Sequence, residues 1–97
     1  MKPVLVAVAF LPFLAGAALA APPNGEQKTE FYDICVSVSQ NVALCTCKAD
    51  AAMTLIDADF MAVVIASMKG RPVENRYYDA YNTYIARSTQ ACGMGGA

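Results

Sequence analysis

Apolar positions first recur at helical steps at Phe31, Ile34, Cys35, Val38 and Val42, a stripe of threes and fours that predicts an amphipathic helix from about Thr29 to Gln40. Asn41 suits the cap of a second helix. Within it Cys45, Ala49, Ala52, Met53 and Ile56 form one stripe and Cys47, Ala51 and Leu55 another. An element with two apolar faces is expected at the centre of the fold. A third helix starts at Ile56-Asp57-Ala58-Asp59-Phe60-Met61: Asp57 can accept from a free backbone amide, Asp59 suits the positive end of the dipole, and Ile56 can staple onto Met61. Phe60, Val63, Val64 and Ser67 or Met68 carry its buried face. Gly70 supplies the left-handed turn that ends it, and Pro72 blocks continuation. The last helix is expected from Val73 or Glu74, with Tyr78, Tyr81, Ile85 and Cys92 at steps of three, four and seven. No stretch alternates apolar and polar residues as a half-buried strand does, and no internal repeat is visible. The predicted fold class is all-α, a small bundle of about four short helices.

The ends of the chain follow other rules. Lys2, the apolar run Val4–Leu14 and the small-x-small sequence Ala18-Leu19-Ala20 have the form of a cleavable secretory signal peptide over residues 1–20. A retained anchor is opposed by the length of that run, short of the roughly 20 residues a spanning helix needs, and by Pro12 and Gly16. No stable membrane insertion is therefore expected after cleavage. Residues 21–28, rich in turn formers, are expected to be a flexible arm; residues 29–92 form the helical domain; residues 93–97 form a Gly-rich tail.

The hydrophobic share of 57% is inflated by the leader, so the remaining chain is ordinary for a globular domain. Loss of Lys2 moves the formal net charge from −1 to −2, and no run of like charges remains, which argues against nucleic acid as a partner. About 77 residues make a marginal core, a deficit that two disulfides would offset.

All four cysteines, Cys35, Cys45, Cys47 and Cys92, lie downstream of the leader, in a chain expected to mature in an oxidising compartment, secreted or periplasmic. Two residues on a helix are about 200° apart, so Cys45 and Cys47 face different ways and meet each other only if the helix distorts. A helical hairpin turning at Asn41 places Cys35 and Cys47 on one rung, which favours Cys35–Cys47 with Cys45–Cys92. A small shift of the turn gives Cys35–Cys45 with Cys47–Cys92.

Candidate chemistry is sparse. The Cys45-Thr46-Cys47 motif near a helix start is the place for a redox dithiol, but the chain has no histidine, and the adjacent base, Lys48, is expected to turn away. Met61 and Met68, seven apart, combine with cysteine as soft ligands for Cu(I), although methionine at helical spacing more often fills a core. Asp57 and Asp59 read as cap and dipole partner, and Ser37, Ser39, Ser67 and Ser88 have no visible activating base, so no catalytic residue, cofactor or metal is assigned.

The last helix stands out for Tyr77, Tyr78, Tyr81 and Tyr84. Four phenols exceed what a small core can satisfy with hydrogen bonds, which makes Tyr77, Tyr81 and Tyr84 a candidate partner surface. The expected function is a non-enzymatic binding or accessory module for an unidentified protein partner. The alternative is a thiol-redox or Cu(I)-handling protein using the Cys45-Thr46-Cys47 motif.

Overall fold

A computed structural model describes residues 20–93 of the chain. Apart from Ala20 and Gly93, the expected leader and tail lie outside the described residues. The described chain forms four α-helices with no strand: α1 Gly25–Ser39, α2 Val42–Leu55, α3 Ala58–Met68 and α4 Tyr78–Cys92, the last preceded by a 3₁₀ turn at Asn75–Tyr77. The all-α bundle read from the periodicity is the fold observed. No described helix is long and apolar enough to cross a membrane.

Helix α1 begins earlier than its apolar stripe. The side chain of Asn24 accepts from the Gln27 amide at 2.8 Å, and the Gln27 side chain accepts from the Asn24 amide at 3.1 Å, a reciprocal capping box. Gln27 also donates to the Ala58 carbonyl at 2.9 Å, and the Ala58 amide donates to the Ala21 carbonyl at 2.8 Å. Residues 21–28 are thus not the free arm expected from their turn-rich composition. They cap α1 and tie it to the start of α3. The signal was present in Asn24-Gly25-Glu26-Gln27, which satisfies the capping pattern as well as the turn pattern.

The third helix follows its sequence signals closely. Asp57 accepts from the Phe60 amide at 2.8 Å, and Gly70 ends the helix at φ 95°. The Arg71 amide reaches the Ala66 carbonyl and the Gly70 amide reaches that of Ser67, the paired bonds of a Schellman termination. By contrast, α4 starts later than expected, because Asn75–Tyr77 winds as a tighter turn.

Helix α1 packs on α2 and α3, and α2 packs on α4. The central element is therefore the α1–α2 hairpin, not α2 alone. Phe31, Cys35, Cys45, Ala49, Ala52, Met61, Val64, Ile65 and Tyr84 form the core. Exposed ion pairs, Lys28–Asp50 at 2.7 Å and Lys69–Glu30, add links between helices worth less than about 1 kcal/mol each.

The bridges are Cys35–Cys45 and Cys47–Cys92, with Cα separations of 5.7 and 5.8 Å. This corrects the favoured pairing of Cys35 with Cys47 and Cys45 with Cys92. The hairpin pivots on Gln40, which takes the left-handed conformation at φ 59°, and Asn41 is already the cap of α2. In an antiparallel hairpin a pivot one residue earlier brings the partner of Cys35 two residues earlier, from position 47 to 45. Cys45 then faces the core, and Cys47, rotated by about 200°, faces α4. The separations of 10 and 45 residues correspond to about 3 and about 4 kcal/mol in the chain-entropy description.

Candidate functional site

Because α3 rests on α1 while α4 rests on α2, the seam between α3 and α4 is bridged by side chains and is only partly filled. An open cleft of about 730 Å³ remains there. Its floor is apolar and aromatic, made by Leu55 and Ile56 at the end of α2, Phe60 on α3, and Tyr77 and Tyr84. Asp57, Asp59, Asp79 and Arg87 stand among its lining residues. The volume falls within the range of ligand-sized pockets, about 300–1,000 Å³.

Each tyrosine of the last segment has a distinct environment. Tyr77 is half-buried, with its ring 5.8 Å from that of Phe60 at a 57° tilt and the Arg76 guanidinium 4.8 Å from its centroid. Arg76 is also held by Glu74 at 2.9 Å. Tyr81 is half-buried and its hydroxyl lies 3.0 Å from Ser67 Oγ. Since Ser67 donates its proton to the Val64 carbonyl at 2.7 Å, the Tyr81 hydroxyl is the donor of that pair.

Tyr84 is a correction to the expected partner surface: it is 2% exposed and belongs to the core. Tyr78, expected on the buried stripe, is 51% exposed. The reason is rotational register. Tyr78 and Tyr84 both lie within α4, six residues and about 240° apart, so the face that carries Tyr84 onto α2 leaves Tyr78, in the first turn, towards solvent. The buried stripe of α4 is set by Tyr84 and Ser88, with Tyr81, Ile85 and Cys92 beside it. Among the described residues the Tyr84 hydroxyl has no hydrogen-bond partner, and burial, reinforced by the neighbouring Tyr81, pushes its pKa up to about 12. The expectation that four phenols overtax this core holds at this one atom.

The Cys45-Thr46-Cys47 motif does not form a local pair. Cys45 is fully buried in the bridge to Cys35, where the Ser39 hydroxyl donates to its sulfur at 3.2 Å, and half-buried Cys47 holds Cys92. Met61 is fully buried in the core and Met68 packs at its edge. Among the described residues no three His, Cys, Asp or Glu side chains gather as a metal-binding group. Lys48, expected to turn away, instead has a buried side chain whose pKa is lowered by desolvation. Its position between Cys45 and Ala52, at steps of three and four, was the available signal.

Comparison with protein families, characterised proteins and solved structures finds no match to this chain.

Proposed function

We propose that this chain is a secreted or periplasmic, non-enzymatic binding module that engages a partner protein through the cleft between α3 and α4 at Tyr77, with Tyr81 outside the cleft lining and bonded to Ser67. The observation that carries this reading is the cleft itself: an open cavity of about 730 Å³ with a floor of Leu55, Ile56, Phe60, Tyr77 and Tyr84. Aromatic side chains with one dry and one wet side are characteristic of protein interfaces. The cysteines support the same assignment to an oxidising compartment, since all four are committed to bridges that staple the scaffold on either side of α2.

The test uses two changes on the cleft wall. Ala80 is exposed and lines the cleft, so Ala80→Gln lengthens a side chain into the opening without adding charge or weakening the helix. Tyr77→Ala removes one wall of the floor. Both variants are expected to keep the helical circular dichroism of the wild type and to lose capture of the native partner from the exported protein fraction. Capture that is unchanged in Ala80→Gln would remove the cleft from the function.

A further inference from the structure

The charge around the cleft selects its occupant. Asp59 and Asp79 are exposed and Asp57 is half-buried, and all three line the opening. The ion pairs among the described residues are Lys28–Asp50, Lys69–Glu30 and Arg76–Glu74, which leave these three carboxylates and Arg87 without an ionic partner. Cys47–Cys92 sets α2 and α4 antiparallel, so the end of α2 and the start of α3 lie beside the early part of α4. The three carboxylates therefore collect at the Phe60–Tyr77 end of the cleft. Arg87 stands eight residues beyond Asp79, about 12 Å along the α4 axis, about one and a half Debye lengths at physiological salt.

Asp59 and Asp79 each sit in the first turn of a helix, where the dipole offsets part of their charge. Each helix start contributes about +0.5 of an elementary charge, so two starts against three carboxylates leave about −2 at this end. Without those aspartates the paired helix starts would favour an anion; with them the preference is reversed. A bare metal ion is a poor fit, because the carboxylates do not gather into a metal-binding group. The apolar floor directly beneath calls for a ligand that joins a positive charge to an apolar body.

We propose that the acidic end of the cleft takes a cationic, apolar-anchored peptide segment of the partner protein, with a lysine or arginine against Asp59 and Asp79 and a neighbouring apolar side chain on the Phe60–Tyr77 floor. This rests on the binding function assigned to the cleft and names the chemistry of its partner.

The probes are three capped pentapeptides: Lys-Leu-Trp-Leu-Lys, the same peptide with Gln in place of Lys, and the same peptide with Glu. The protein has no tryptophan, so the peptide indole is the only one in the sample. The Lys peptide is expected to bind with a blue-shifted indole emission and to move the amide resonances of Tyr77, Ala80 and Thr83. Its affinity should fall about two- to fivefold in each of Asp59→Asn and Asp79→Asn, and further in high salt, with the Glu peptide bound more weakly than the Gln peptide. Circular dichroism of both variants verifies that the helices persist. If the Gln or Glu peptide occupies the cleft as tightly as the Lys peptide, the charge assignment falls while the binding function stands. Failure of the Lys peptide to perturb the cleft also overturns the assignment. Loss of the binding function is read separately, from partner capture by Ala80→Gln.

Discussion

Replacing Tyr84 by phenylalanine removes one oxygen from the core and leaves the ring. The hydroxyl is buried, the residue is 2% exposed, and among the described residues no donor or acceptor meets it. A buried polar group without a partner costs about 1–3 kcal/mol, so Tyr84→Phe should stabilise the fold by about 1 kcal/mol or more at pH 7. For a domain of this size that raises the melting temperature by about 4–8 °C per kcal/mol. The pH dependence gives an independent check. Burial raises the Tyr84 pKa from 10.0 to about 12, so the folded state holds a proton that the unfolded state releases between those values. The stability associated with the neutral phenol is fully present below pH 10 and is lost as pH rises towards 12, a loss of about 2–3 kcal/mol from this group. The phenylalanine variant lacks that loss, so its advantage widens with alkalinity. Urea unfolding followed by circular dichroism at pH 7 and at pH 10–11.5, bridges intact, measures both effects, and absorbance titration of tyrosinate shows one phenol lagging the others. A variant less stable than wild type by about 1 kcal/mol at pH 7, or a pH dependence identical in the two proteins, would show that the hydroxyl is not an unsatisfied buried group.

Peptide mapping without reduction should join the segments holding Cys35 and Cys45, and those holding Cys47 and Cys92. A small thiol reductant should open half-buried Cys47–Cys92 first, releasing α4 at a cost of about 4 kcal/mol, while Cys35–Cys45, 5% and 0% exposed, resists; a Cys45–Cys92 peptide would overturn this arrangement. Gln40→Gly should stabilise the protein by about 0.5 kcal/mol, because relief of the left-handed strain exceeds the added freedom of the unfolded chain. A lower urea midpoint for Gln40→Gly would show that the pivot is not strained.

The helices themselves were legible because their causes are local. The Asp57 cap and the Gly70 termination depend on residues within a turn or two of one another and are found where the spacing placed them; of the predicted stripe Phe31 and Cys35 are buried and Ile34 half-buried, but Val38 and Val42 are 75% and 56% exposed, because α1 ends at Ser39 and Val42 already opens α2. Where two local readings competed, sequence alone was ambiguous: Asn24-Gly25 satisfies both a turn and a capping box, and the box is formed because Gln27 and Ala21 also bond to Ala58 across the fold. The disulfide partners turned on a single residue, since a pivot at Gln40 rather than Asn41 moves the partner of Cys35 from Cys47 to Cys45. The burial of Tyr84 and exposure of Tyr78, about 240° apart on the α4 wheel, depend on which face of α4 meets α2. Least legible was the cleft. It has no sequence signature, because it is the space left when α3 settles on α1 and α4 settles on α2, and only packing brings Asp57, Asp59 and Asp79 around one apolar floor. Local residue pattern fixes which segments are helical and which of their faces are apolar, whereas which faces meet is set by packing, because contacts between helices depend on angular register that errs by about 100° for each misplaced residue.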